Sequence, residues 1–262
     1  MTTDMKHEAE QLAQLLYLHG EDADKFANAQ LASRVDRLEP GQWQWSAWLD
    51  AAGRVRCLGM LWRMQDGLQL LLRGGKAEPV GHAMQRYVLR AKLQIEVAEG
   101  LRLSPGTALP SGQLERNPDR MALGLGDYSL VLASHNGAPR HSDWNTVNRL
   151  AVTCGHPWLP DNVLDKLLPP ALGLYSLGAV ALGKGCYPGQ EMVNRLHTRG
   201  THKFAMAHVQ TSRDWTPGED IVQEDQRIGT VLQRAHADSL VVVRHGTLTA
   251  MGDVRTVREF PA

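Results

Sequence analysis

The sequence predicts an α+β protein, antiparallel sheets with packed helices followed by a small C-terminal β-barrel. Three observations carry this. Between Trp43 and Leu72 three strand-like runs follow one another, separated only by turn residues. Directly after them, apolar residues recur at the spacing of one helix face. Past Arg199-Gly200 the texture changes to short β-like pieces broken by turns. At 262 residues and 43% hydrophobic, the chain can bury a substantial core in one large or two smaller domains. We divide it at the change of texture. Residues 1–200 form the larger region, with possible subdomains near 1–100 and 101–200, and residues 201–262 form the barrel.

Taken in order, residues 15–20 read as a short strand ending at Gly20, after which Asp22 can cap a helix whose apolar face is Ala23, Phe26, Ala27 and Leu31. Trp43 to Leu49 alternates as a strand. Asp50-Ala51-Ala52-Gly53 turns it into Val55–Trp62, and Gln65-Asp66-Gly67 turns that into Leu68–Leu72. The tryptophans at 43, 45, 48 and 62 read as packing rather than as a stacking platform. Pro79 suits a first helical turn, and Val80, Ala83, Met84, Tyr87, Val88 and Ala91 make a core-facing stripe. Leu93, Ile95 and Val97 alternate with polar residues as a half-exposed strand. From Ser104 to Pro118, Gly, Pro and polar residues interrupt any period, so we expect loop beside at most a short strand. Leu130–Ala133 is the next strand, and Asp143–Cys154 a helix burying Trp144, Val147 and Ala151. Asn162–Leu168 reads as a short helix stopped by Pro169-Pro170, and Gly178–Leu182 as a strand or extended lead. Lys203–Val209, Arg227–Leu232 and Leu240–His245 are the strands of the last region.

Composition excludes more than it selects. Lys+Arg and Asp+Glu both number 28, so net charge steers toward neither nucleic acid nor membrane. Met1 to Glu10 mixes charges and lacks an apolar stretch, which predicts no secretory leader, and no apolar run reaches the ~18 residues of a membrane span. Cys57, Cys154 and Cys186 are too far apart in sequence for a disulfide framework or a structural zinc site, which suits a reducing cytoplasm. Residues 178–185 nearly spell a phosphate-binding loop, but Gly185 stands where the magnesium-binding hydroxyl must be. His197, His202 and His208 lack tight metal spacing, and Gly124-Leu125-Gly126 is too short to read as a dinucleotide site. We expect no metal.

One stretch does select a function: Lys184-Gly185-Cys186-Tyr187-Pro188-Gly189-Gln190-Glu191. Pro188 fixes its own φ and Gly189 accepts a positive one, so Tyr187 to Gln190 reads as a type II turn. Gly185 removes a Cβ beside the thiol. Lys184 places a cation two residues from Cys186, which favours the thiolate, the form that reacts and binds metals. A free cysteine is usually buried and inert, but two glycines with Lys, Tyr, Gln and Glu in eight residues make a poor core segment. Between residues 184 and 203, Lys184, Arg195, Arg199 and Lys203 face only Glu191. That basic stretch is either simply solvated or fit to hold an anion.

The same eight residues resemble the signature of the YgfZ family, folate-binding proteins that support iron–sulfur enzymes and are related in fold to the aminomethyltransferase of the glycine cleavage system. The resemblance continues into Met192-Val193-Asn194-Arg195 and, more weakly, Tyr87–Leu93. It departs at Gln30-Leu31-Ala32-Ser33-Arg34-Val35, where the family has Gln-x-Thr-Asn-Asp-Val. The resemblance implies an aminomethyltransferase-like fold with a terminal β-barrel, tetrahydrofolate or a one-carbon derivative as ligand in a central cavity bordered by the signature, and iron–sulfur client or assembly proteins as partners. It places the protein in the cytoplasm, in the service of cluster assembly or repair and of tRNA modification, without direct contact to nucleic acid or membrane. Cys186 would be the functional thiol assisted by Lys184. Tyr187, Gln190, Glu191 and Arg195 would meet the folate, and Gly185, Pro188 and Gly189 would shape the backbone. A single thiol cannot hold a cluster that usually needs four ligands, so a partner is required. The alternative is aminomethyl transfer itself. Aminomethyltransferases carry an Asp near the position of Cys57 or Leu58, and no carboxylate stands there. A thiol-redox factor without folate is a third reading.

Overall fold

The computed structural model describes residues 11–134, 144–200, 202–248 and 251–261. The expectations about residues 1–10 and the proposed helix start at Asp143 lie outside them. Fifteen strands, in three five-stranded antiparallel sheets, and four α-helices account for the described architecture.

The first sheet holds β2 (Leu15–His19), β3 (Trp43–Leu49), β4 (Val55–Met64), β5 (Gly67–Gly74) and β6 (Gln94–Ala98), in the order β3-β4-β5-β2-β6. Its strands apart from the exposed edge β6 carry apolar residues on both faces because both faces are covered. Leu16, Leu18, Trp48, Leu61 and Leu70 pack under α1 (Ala23–Gln30) and α2 (Ala77–Gln85) with Phe26, Val80 and Met84. Leu15, Trp43, Trp45, Met60 and Leu71 alternate to the other face and enter the large core. That core also takes Leu103 and Leu130 from the second sheet, built from β1 (Gln11–Leu12), β7 (Leu101–Gly106), β8 (Leu114–Asn117), β9 (Arg120–Gly124) and β10 (Ser129–Ser134). It takes Leu232 and Val242 from the third, built from β11 (Phe204–Thr211), β12 (Asp220–Gln223), β13 (Gln226–Ala235), β14 (Asp238–Arg244) and β15 (Val254–Glu259). The three sheets therefore share one apolar centre. α3 (Trp144–Cys154) packs on β13 and β14, and α4 (Gln190–Arg199) follows the signature.

Several local expectations change. Asp22 stands at the N-cap of α1, yet its side chain makes no cap bond, because its carboxylate accepts the backbone N–H of Lys92 at 2.8 Å instead. α2 ends at Gln85, six residues before Ala91. Tyr87 and Val88 continue in tight turns onto Met84 and Gln85, leaving Tyr87 exposed and Val88 half-buried. The stretch 104–118 holds the end of β7 and all of β8, both paired in the second sheet, so sheet partners override its weak local pattern. The helix expected at 162–168 is one 3-10 turn, Asp161–Val163, after which Asp165 takes φ 58°. Pro169 and Pro170 open a second 3-10 turn rather than stopping a helix. Residues 178–182 form no strand. They thread between β3 and the segment after α1, with Ala47 N–H on the Ala179 carbonyl (3.1 Å) and Ala181 N–H on the Ala32 carbonyl (2.8 Å). In the C-terminal region the sheet is open, edged by β12 and β15, and strand pairing among the described residues does not close the expected barrel.

Candidate functional site

The signature leaves the threaded segment at Lys184 and ends in α4. Gln190 N–H bonds the Tyr187 carbonyl at 3.2 Å, and Gly189 takes φ 80°, ψ 0°, which closes a type II turn whose third residue is also the N-cap of α4. Gly189 is doubly required. A Cβ there would sit 2.5 Å from the Asp50 carbonyl and 2.8 Å from Gly53 Cα, so the turn is pressed against the hairpin that joins β3 and β4. At Gly185, by contrast, a Cβ would meet nothing within 4 Å.

Lys184 lies elsewhere than its sequence position suggests. It is 5% exposed, and its ammonium donates to the carbonyls of Asn28 (2.8 Å), Leu31 (2.7 Å) and Ser33 (2.6 Å). Burial draws its pKa down to about 8 while nearby Asp36 works the other way. With three donors on three carbonyls, Lys184 fastens the signature to the chain leaving α1, and no donor is left for a thiolate or ligand. This corrects the expectation of Lys184 as the partner of Cys186. It also shows why the altered residues 30–35 still accept the signature, since the acceptors are backbone oxygens that side-chain identity does not touch.

Tyr187 and Gln190 are likewise turned inward. Tyr187 is 6% exposed, donates its hydroxyl to the Ala181 carbonyl at 3.3 Å and lies under the Lys184 ammonium, with burial pushing its pKa up to about 12. The Gln190 amide nitrogen donates to the Lys184 carbonyl at 2.8 Å. Cys186, Glu191 and Arg195 are exposed, and Pro188 is half-buried. The loop thus has a locked underside and an open tip, and the thiol stands at the tip. The other two thiols differ. Cys57 is fully buried with its pKa pushed up to about 12 by burial, and burial also raises Cys154, which is half-exposed at the end of α3.

Among the cavities of the described residues, one of about 250 Å³ lies beside Trp48 and Arg56 and one of about 580 Å³ between residues 166–171, α4 and the third sheet. Residues 184–191 line neither. The shared core holds a third feature, one that sequence reasoning missed. Arg73, at the end of β5, is 0% exposed and lies over the Trp158 ring at 4.2 Å, with Trp45 on its flank at 5.9 Å. It donates one weak bond to the His156 carbonyl (3.3 Å), while its Nε and Nη1 have no partner among the described residues. Gln233, whose Oε1 accepts Trp158 N–H at 3.0 Å, leaves its Nε2 unpartnered beside it. The unmet groups here are all donors. The Tyr128 hydroxyl shares a hydrogen bond with Nδ1 of His156 at 3.0 Å and also supports the Arg73 guanidinium, while burial and the Arg73 charge pull that imidazole down to about 4, so it is neutral. The one signal in the sequence was an arginine continuing the apolar run Leu68–Leu72.

No family model matches the chain. Among curated proteins it is 29% identical over 248 residues to the tRNA-modifying protein YgfZ of Edwardsiella ictaluri, covering 81% of this chain and 75% of that one. It is 27% identical over 266 residues to the protein of the same name in Escherichia coli (strain S88), covering 88% and 81%. The chain resembles the YgfZ proteins over most of its length. An uncharacterized protein of Haemophilus influenzae is similar at 27% over 241 residues, covering 87% and 84%. Among solved structures, the glycine cleavage system aminomethyltransferase T of Bartonella henselae superposes with a TM-score of 0.64, covering 94% of this chain and 79% of that one at 15% identity. The fold is therefore aminomethyltransferase-like, as the YgfZ resemblance implied. No helix among the described residues is long and apolar enough to cross a membrane.

Proposed function

We propose that this chain is a YgfZ-type accessory protein that binds a reduced folate and supports iron–sulfur enzymes, among them enzymes of tRNA modification, through the thiol of Cys186. The observation that carries the reading is the split character of the signature. Lys184, Tyr187 and Gln190 are bonded inward, Gly189 is wedged against a hairpin, and Cys186 stands exposed. A loop fixed on one side holds its tip still, which is what a thiol meeting a partner's cluster needs. One cysteine supplies one ligand, so the other ligands belong to the client or to an assembly partner.

The residues of the shared core suit a folate. Its carboxylates and ring carbonyl accept hydrogen bonds, and the unmet groups at Arg73 and Gln233 are donors next to Trp45 and Trp158. Arg73 would take a folate oxygen on Nε and Nη1, and Gln233 another on Nε2. When bound, the folate supplies one-carbon or pterin redox chemistry. Glu191 and Arg195 are exposed on α4, outside this buried group. Aminomethyl transfer has less support. Aminomethyltransferases carry an acid–base carboxylate near the position of Cys57 or Leu58, and here both are fully buried, with the Cys57 thiol keeping its proton.

The test is calorimetric titration with tetrahydrofolate. The intact protein is expected to bind, Arg73→Met to lose at least tenfold in affinity while still folding, and Arg195→Ala to lose less. No binding at millimolar tetrahydrofolate removes the folate from this reading.

A further inference from the structure

The cavity of about 580 Å³ has no place in the reading above. Its volume falls within the roughly 300–1,000 Å³ typical of small-molecule sites. Its walls separate by chemistry. Leu168, Ala171, Leu196, Phe204 and Val242 line it with hydrocarbon, drawn from the 3-10 turn, α4 and two strands of the third sheet. Lys166, His202, Lys203, Arg227 and Thr230 supply its polar side chains, and no carboxylate lines it among the described residues. Asp220 lies just outside, fixing Arg227 by an ion pair at 2.8 Å, and Thr230 accepts the same guanidinium at 2.7 Å. The Thr230 hydroxyl in turn donates to Asp220 at 3.1 Å, so it has nothing to offer a ligand. Lys166 and Lys203 form no ion pair among the described residues, and both are exposed.

We infer that this cavity is a second ligand site, for a medium-chain acyl anion with a carboxylate or phosphate head. The hydrocarbon walls match a flexible aliphatic body. The free lysines, with Arg227 held beside them, match the head. A pterin fits poorly, because its ring edge carries several donors and acceptors. Buried against these walls, each would stay unpaired and lose its hydrogen bonds to water without replacement. The three cations also exceed what an apolar groove needs for docking another protein segment, whose contact surface is typically depleted of lysine. His202 adds little positive charge at neutral pH, since burial and the neighbouring His245 and His197 lower its pKa. The head therefore depends on Lys166, Lys203 and Arg227.

The full-length protein is titrated calorimetrically with decanoate, decyl phosphate and decanol. Both anions are expected to bind at least tenfold more tightly than decanol, and the better of the two identifies the head. The double variant Lys203→Gln/Arg227→Gln should reduce anion binding to the decanol level without changing decanol. Ala171→Phe should occlude all three ligands. Leu196→Trp serves for the same purpose if the first variant fails to fold. Equal affinity for decanol and decanoate, no binding at 1 mM (~4 kcal/mol), or unchanged binding in an occluding variant that folds would overturn the site. Tetrahydrofolate, added to saturation, should leave decanoate bound. Displacement would overturn the site as a second one, whereas failure of folate to bind at all leaves the decanoate result standing.

Discussion

At the scale of single residues, the chemistry of the signature divides between Lys184 and Cys186, two positions apart and in opposite environments. Lys184→Met leaves three carbonyls without their donor and is expected to destabilise the fold by ~1–3 kcal/mol, read from urea denaturation. Because the ammonium is tied to backbone oxygens, the same variant should change the alkylation rate of Cys186 by less than about threefold. A tenfold fall would restore Lys184 as the activator of the thiol. Of the three cysteines, Cys186 should alkylate fastest, Cys154 next and Cys57 last, following exposure and the upward shifts at the latter two. His156 sets a pH dependence. Its native pKa is near 4 against an ordinary 6.5, so between those values the unfolded chain binds the extra proton. The associated stability is complete above pH 6.5 and is lost as pH falls toward 4, by ~3 kcal/mol in all. Thermal melts across pH 4–7 read this directly, and His156→Gln should flatten the slope. An unchanged slope in that variant would assign the acid sensitivity to other groups.

At the scale of elements, the turn before α4 is the part that sequence made most legible. Pro188 and Gly189 specify a type II turn by themselves, and the structure has it, with Gly189 at φ 80°. The hairpins at 50–54 and 64–67 were legible for the same reason, since turn residues act locally. What was not legible depended on partners far along the chain. Leu101–Gly106 is a strand because β10 lies against it, although Ser104-Pro105-Gly106 looks like loop. The stripe over 80–91 was periodic beyond the end of α2, because Val88 and Ala91 reach the same cluster from a non-helical path. A backbone acceptor has no signature at all, which hid the clamp on Lys184. The element account makes a paired prediction. Gly189→Ala meets both a left-handed φ and a backbone oxygen at 2.5 Å and should cost about 2 kcal/mol or more. Gly185→Ala, four residues away in open space, should stay within ~0.5 kcal/mol. Equal costs at the two glycines would mean that the turn is not wedged against the β3–β4 hairpin.

At the scale of the whole molecule, three sheets close around one apolar centre that holds a guanidinium with no carboxylate partner among the described residues. A buried charge without a counter-ion is expensive, and a partner that binds only the folded state recovers that cost as stability. Tetrahydrofolate at 100 times its dissociation constant should therefore raise the unfolding free energy by ~2.7 kcal/mol, and Arg73→Met should abolish most of the increment. The sequence disclosed that the fold was aminomethyltransferase-like and where its exposed thiol lay, because both reside in the contiguous signature. It did not disclose the core group of Arg73, Trp158 and Gln233, which three distant segments assemble. The central claim is that the signature exists to present Cys186. Cys186→Ser changes one exposed atom and should leave stability within ~0.5 kcal/mol. The most direct measurement is the activity of an iron–sulfur enzyme in cells that lack this protein and carry either the wild-type chain or Cys186→Ser at equal abundance. The account predicts restored activity with the wild type and the level of the empty control with the serine variant. Full restoration by Cys186→Ser would contradict it.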